Sequence, residues 1–392
     1  MDWEVYHYRT RGISAEIEAG KLKVIESYAE SGFAARVIVK GRVGFASSAS
    51  REEAIKMAEK IAKISEDVLD DFPSGRFRRV EGIYDRRVED IDSNFLKEEY
   101  ERLVSSISRA KISSAKIAHE IEEVEIENSY GLECYEKSTI SSMLVETVHD
   151  GGSGYEVCDS RTAELEIEET ARRAEELALE SSRARKIESS VYDIVLEPIA
   201  VHQLFFYSLY PSFSAENVEK GRSRVRIGDK YGEITIIDDP TVRGGLASCS
   251  FDDEGVNTVP TTLMENGVVR GYYSDWKHSK KYGITANGFR MENTGYPSPM
   301  PSNIVVKADD TDESEKCIII HSLIGSHTAN PISGDFSLEV MNANYRGSAV
   351  KGMMIYGNIF DMLKRLEGEL GEVRQIENTI TKSLKFGKIR II

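Results

Sequence analysis

Ile236-Ile237-Asp238-Asp239-Pro240-Thr241, then Phe251-Asp252-Asp253-Glu254-Gly255, then Leu263-Met264-Glu265-Asn266-Gly267-Val268-Val269-Arg270-Gly271-Tyr272, is the run that decides the character of the C-terminal half. It reads as an apolar strand, an acidic turn, a glycine-rich bend, a second acidic turn and a hairpin closed by Asn266-Gly267. An Asn-Gly pair between two apolar runs signals a type I′ turn, because both central residues need positive φ. The carboxylates of Asp238, Asp239, Asp252 and Glu254 are candidates for contacting a cation or a peptide amine. The same residue types also cap turns by accepting backbone N–H bonds, and that is the reading the residues favour on physical grounds.

Working outward, helical character fades after one short apolar helix at about 199–210, and β-branched runs resume at Ile304–Lys307 and Cys317–Leu323. The stretch 287–303, with Pro297, Pro299 and Pro301, reads as a long extended loop. Upstream, residues 12–46 alternate in short steps and predict a meander of Ser14–Glu18, Lys21–Ser27, Ala34–Lys40 and Arg42–Ala46. Ser50-Arg51-Glu52-Glu53 has the form of a capping box. The helix it opens is expected to bury Ala54, Met57, Ala58, Ile61, Ile64, Val68 and Leu69 and to stop at Phe72-Pro73. A second helix is predicted over 94–114, strands over 122–128 and 138–147, a flexible loop over 150–154, and a long solvated helix over 162–186. The fold class is therefore α+β. An N-terminal domain of helices on an antiparallel sheet is expected over 1–187, and a C-terminal domain of curved, barrel-like antiparallel sheet over 188–392.

The 392 residues, 40% of them hydrophobic, suffice for more than one core. A net charge of −16 repels phosphate backbones and argues against nucleic acid as a partner. Cys134, Cys158, Cys249 and Cys317 show no CxxC spacing, so reduced thiols and a cytoplasmic location are expected. No apolar run approaches the ~20 residues that cross a bilayer, and the acidic start Met1-Asp2-Trp3-Glu4 lacks the basic region of a signal peptide. The serine-rich stretches lack a G-x-S-x-G elbow, and Gly151-Gly152-Ser153-Gly154 lacks the Gly-Lys-Ser/Thr of a phosphate loop. Cys317 and His321 share a face of one predicted strand, but His327 lies beyond the next turn, so a three-ligand metal site from these residues is not expected.

Several runs together resemble the TldD/PmbA family of metallopeptidase subunits, also described as modulators of DNA gyrase. They are Gly41-Arg42-Val43-Gly44-Phe45, Gly271-Tyr272-Tyr273-Ser274-Asp275, Thr285-Ala286-Asn287-Gly288 and Asn330-Pro331-Ile332-Ser333-Gly334-Asp335-Phe336-Ser337. The last is similar to the run typical of the PmbA (TldE) branch. In the TldD branch the helix at 199–207 carries H-E-x-x-x-H, two imidazoles for zinc and a glutamate base. Here His202 matches the first histidine, Gln203 replaces the glutamate and Tyr207 the second histidine. Glutamine accepts no proton at neutral pH and a phenol is a poor zinc ligand. No glycine-flanked cysteine follows residue 317 to match the family's C-terminal ligand. The resemblance thus implies a TldE-like chain with no catalytic residues and no metal of its own, and zinc in a TldD-type partner. It further implies a peptide substrate, a heterodimer with that partner, and a homodimer when alone. Two departures stand out: the chain starts almost directly at the first strand, and after Ser337 the family's glycine-rich continuation becomes Leu338-Glu339-Val340-Met341-Asn342.

Overall fold

Long alternating runs in the first 160 residues build one sheet. In the computed structural model, which describes residues 1–311 and 316–392, it comprises β1 (Asp2–Glu18), β2 (Lys21–Val39), β3 (Arg42–Ser48), β4 (Lys111–Asn128), β5 (Glu133–His149) and β6 (Gly152–Ser160). Their order is β3-β2-β1-β4-β5-β6, with every neighbour antiparallel. Side chains alternate between its faces. On one face Val5, Ala35 and Val37 pack against Ala54 and Ala58 of α1 (Arg51–Ala62). On the same face Ala15, Ile17, Ile117 and Val145 pack against Leu96 and Leu103 of α2 (Ser93–Ser105) and Ala171 and Ala174 of α3 (Ile167–Ser182). The other face turns toward the C-terminal half, where Tyr6, Tyr8, Ile126 and Cys134 meet Phe251.

The second sheet begins at β7 (Arg185–Lys186) and β8 (Ser190–Leu196), which precede α4 (Pro198–Ser208) and α5 (Ala215–Glu219). Next come β9 (Thr235–Asp238), β10 (Thr261–Glu265), β11 (Val268–Val269), α6 (Trp276–Tyr282) and the small pair β12 (Gly288–Phe289) and β13 (Ser298–Pro299). The chain ends with β14 (Ile304–Lys307), β15 (Ile318–Ile324), β16 (Asp335–Tyr345), β17 (Ser348–Lys351), β18 (Met354–Asn358), α7 (Ile359–Leu363), β19 (Leu366–Ile376) and β20 (Thr379–Ile391). Strands β20, β8, β15, β16 and β18 close on themselves through the Ile355–Ile391 pairing and form a barrel. Ile194, Leu196, Ile320, Leu338, Ile355, Leu384 and Phe386 belong to its core together with Ala200, Leu204 and Phe205 of α4. Pairing in this sheet is antiparallel except for β8 with β15, β14 with β20, and β7 with β17. Asn266 (φ 47°) and Gly267 (φ 77°) make the turn expected between β10 and β11.

Several local expectations need correction. The four-strand meander is three strands, because residues 27–33 continue β2 without a break and residues 2–13 belong to β1. Helix α1 stops at Ala62, and the Ser50 side chain bonds Glu52 rather than capping the helix. Residues 67–69 instead run beside the edge of β3, where Val43 N–H donates to Asp67 O and Leu69 N–H to Gly41 O. Ile64 and Val68, expected in the core, lie beyond the helix and are exposed, as are Met57 and Ile61, which face away from the sheet. The second helix ends at Ser105, and residues 111–114 begin β4. Only Asp150-Gly151 of the expected loop is a turn. Gly152 and Gly154 lie in β6 under α3, where an added Cβ would come within 2.2 Å of Ser182 N and 2.0 Å of Ala174 O. That close approach explains why α3 is a packed helix with Ile167, Ala171, Ala174 and Ala178 fully buried, not a solvated one.

Candidate functional site

Helix α4 starts at Pro198, whose fixed φ and missing N–H suit the first turn. Ile199, Ala200, Val201, Leu204 and Phe205 leave it almost no polar face, so it is driven into the mouth of the barrel against β15 and β20. What remains of its polar side, His202, Gln203 and Tyr207, lines a cleft of ≈ 500 Å³ between the barrel and the sheet face formed by β5 and β6. Tyr155, Val157 and Asp159 of β6 form the opposite wall, and the turns carrying His327 and Glu377 complete it.

The polar atoms on the helix are already engaged. His202 Nδ1 lies 2.9 Å from Thr379 Oγ1, and its Nε2 lies 3.4 Å from Glu377 Oε2. Gln203 Oε1 accepts the Leu323 N–H at 2.6 Å, tying α4 to β15. Tyr207 is half-exposed at the cleft rim. A zinc site needs three protein ligands and a free position. One imidazole with both nitrogens occupied, an amide bonded to the backbone and a phenol do not make that set. Among the described residues no group of three or more His, Cys, Asp or Glu side chains could hold a metal ion.

The alternative trio does not converge either. His321 faces another cavity, with Nδ1 2.6 Å from Glu197 Oε2 and Nε2 3.2 Å from Tyr155 O. His327 sits in the α4 cleft, and Cys317 is buried just before β15. His321 belongs instead to a row that closes the outer edge of β6. Asn342 Nδ2 donates to Ser153 O at 2.8 Å, His321 to Tyr155 O, and Arg374 Nη2 to Val157 O at 2.6 Å. Three alternate carbonyls of one edge strand are thus capped by side chains of the second sheet, standing where a further strand would pair.

The acidic turns are internal. Asp238 accepts the Ser302 N–H at 2.8 Å and its hydroxyl at 2.5 Å, and also the amide of Asn287. Asp239 accepts the N–H and hydroxyl of Thr241. Asp252 accepts N–H groups of Glu254, Val256 and Gly288. Glu254 binds Arg36 Nη1 and the Trp276 N–H, while Arg36 is held from its other side by Glu4 at 2.7 and 2.9 Å. Asp238, Asp252 and Glu254 are at most 1% exposed, so as placed they reach no ligand in the cleft and instead hold loops. Asp239, by contrast, is half-buried. Burial raises the carboxyl pKa of Asp238 to about 6 and raises those of Asp252 and Glu254 as well.

Two residues that sequence reasoning missed are open to the cleft. Asp159 has no hydrogen bond or ion pair among the described residues, and burial, reinforced by the Glu377 charge, pushes its carboxyl up to about 6. Glu377 is held lower by its contact with His202. The pair Glu377-Asn378 between two β-branched runs was the available signal for the β19–β20 turn that carries it.

The chain matches the PmbA/TldA metallopeptidase C-terminal domain over residues 189–392, domain 1 over 3–64 and the central domain over 46–182. An uncharacterised protein of Methanocaldococcus jannaschii is 32% identical, covering 98% of this chain and 95% of that one. A metalloprotease of Methanothermobacter thermautotrophicus is 26% identical over 92% of this chain and 86% of its own. Among solved structures, TldE from Thermococcus kodakarensis has a TM-score of 0.90 at 24% identity, covering 100% of this chain and 96% of that one, a likeness of fold. Domain matches along nearly its whole length and a full-length relative above 30% identity place this chain in the PmbA/TldD metallopeptidase family.

Proposed function

We propose that the chain is a zinc-free, TldE-like subunit of a cytoplasmic TldD/TldE-type metallopeptidase that degrades or processes unfolded peptides. It pairs with a TldD-type subunit that carries the zinc, and with itself when that subunit is absent. The observation that carries the reading is the α4 face. The cleft is open, yet its helix presents one histidine with both nitrogens engaged, a glutamine bonded to the Leu323 N–H and an exposed tyrosine. Its role is to build the substrate chamber rather than to activate water. Open strand edges elsewhere would take an extended peptide by main-chain pairing, since the β6 carbonyls are closed.

Elemental analysis of the purified chain is expected to show no stoichiometric zinc, and the chain alone no peptide hydrolysis. Gln203→Glu with Tyr207→His is expected to stay inactive, because a third protein ligand is still missing. Affinity purification from native extract is expected to bring down a chain with an intact H-E-x-x-x-H motif. One zinc per chain, lost on His202→Ala, would overturn the assignment.

A further inference from the structure

An edge strand presents a row of unpaired N–H and C=O groups that another strand can take up, and folded chains commonly blunt such edges. The first sheet blunts several of its own. At β3 the Val43 N–H donates to Asp67 O and the Leu69 N–H to Gly41 O. The stretch of β5 that runs past β6 gives its Thr139 N–H to Ile83 O. β6 itself is capped at three carbonyls by Asn342, His321 and Arg374.

β2 is the exception. β1 pairs along the whole of its inner side, whereas β3 pairs only from Phe33 to Val39. From Lys21 to Ser31 no strand or loop pairs with the outer side of β2 among the described residues. Every residue from Glu26 to Ser31 is exposed, Tyr28 among them, and so is Val24. Beyond the bulge opposite Glu16 and Ile17 this run holds no proline and no further irregularity.

The charges on this edge are ordered. Lys21 and Lys23 lie at one end, Glu26 and Glu30 toward the other. Lys23 also meets Glu18, and Glu30 accepts the Tyr8 hydroxyl at 2.7 Å, while Lys21 and Glu26 have no ion pair among the described residues. A parallel neighbour of the same sequence would set like charge on like. An antiparallel one sets the lysines of each copy against the glutamates of the other, and a two-fold axis across the joint generates antiparallel pairing of equivalent strands.

We propose that this edge pairs with the same edge of a second copy of the chain, the two β2 strands running antiparallel so that two six-stranded sheets become one. The proposal rests on the reading that the chain pairs with itself when alone, and it names the surface that does so. The charges keep the edge from pairing at random, and their order selects the partner. The joint also bears on the cleft. Val24, Glu16, Lys116, Leu144 and Val157 stand in one row across the sheet, and the last three line the α4 cleft. Lys116 is two strands, about 10 Å, from the β2 edge. A two-fold axis perpendicular to the sheet keeps both clefts on one face, so each copy extends the wall on which the other's cleft opens.

Sedimentation equilibrium of the full chain is expected to show a dimer. Glu26→Lys with Glu30→Lys, and separately Lys21→Glu with Lys23→Glu, set like charges across the joint and are each expected to weaken self-association at least about tenfold. An equimolar mixture of the two double variants restores every opposite pair and is expected to associate within about threefold of the parent. Circular dichroism checks that each variant is folded. In the parent chain, hydrogen exchange is expected to find the outward amides between residues 21 and 31 protected in the dimer and released on dilution to monomer. A dimer that neither double variant weakens, a mixture that does not recover, or free exchange of residues 21–31 in the dimer overturns this inference and leaves the homodimer reading standing. A chain that stays monomeric at high micromolar concentration overturns both. Protection of residues 21–31 in a monomer, and only after reduced, carboxymethylated lactalbumin is added, would overturn the proposal by giving the edge to unfolded peptide.

Discussion

Two groups of carboxylates in this chain differ in one respect. In the loops of the second half, Asp238, Asp239, Asp252 and Glu254 each accept from backbone or side-chain donors of their own chain, and Glu254 also holds Arg36. On the sheet face that turns toward the second half, Asp159 and Glu122 have no such donor. The first group was conspicuous in the sequence because acidic residues clustered around turns. The second was not, because both lie within long alternating strands, Glu122 as one of the five glutamates between residues 120 and 127. A carboxylate that the fold has satisfied is structural, whereas one the fold leaves unsatisfied at an opening is available.

The comparison predicts unequal costs of removal. Glu254→Ala strips one partner from Arg36, which is 1% exposed, and leaves the Trp276 N–H without its acceptor. Breaking a buried pair in this way is expected to cost about 3–5 kcal/mol in urea unfolding. The same substitution at Asp159 removes no bond and is expected to cost nothing. Similar losses at the two positions would erase the distinction.

Asp159→Asn gives the opposite sign and a smaller effect. Folding raises this carboxyl from 3.8 to about 6, so the folded chain holds the proton more tightly than the unfolded one. The ionised carboxylate therefore costs stability that is absent below pH 3.8, grows between 3.8 and about 6, and is complete above it. The amide removes that cost. At neutral pH the variant is expected to be more stable by on the order of 1 kcal/mol, the full shift being discounted for partial exposure to the cleft. The gain should vanish as the pH falls toward 4, below the folded pKa. Thermal unfolding of both proteins across that range reads it directly, and a gain that persists at low pH would attribute it to something other than charge.

How much of this was legible follows from the kind of signal. The Asn266-Gly267 turn and the apolar helix at α4 were readable because local chemistry dictates them. The barrel closure through Ile355 and Ile391 was not, since pairing between distant strands leaves no mark in either one. Met57, Ile61 and Ile64 have helical spacing, so periodicity placed them inward. Tertiary packing uses the alanine face of α1 instead, because Ala54, Ala58 and Ala62 allow the helix to lie close on the sheet. At the site, the changed residues on α4 were visible once the family pattern was laid over them. Their actual partners, Thr379, Glu377 and the Leu323 N–H, come from more than a hundred residues away and could only be seen in three dimensions.

Gln203 offers the finest test of the same idea, because it stands where the resemblance to the TldD branch puts a glutamate, yet behaves as a satisfied residue. Its Oε1 accepts the Leu323 N–H at 2.6 Å. A glutamate carboxylate could accept that bond equally well, so Gln203→Glu is expected to change stability by less than about 0.5 kcal/mol. Gln203→Leu keeps the bulk but orphans the N–H, and should cost about 1–3 kcal/mol. If both hold, position 203 serves the anchoring of α4 on β15 whichever side chain is present, and the residue identity decides only the chemistry. A large loss for Gln203→Glu would instead mean that the amide N–H₂ of Gln203 is also engaged, and that this helix has been rebuilt around glutamine rather than merely deprived of its base.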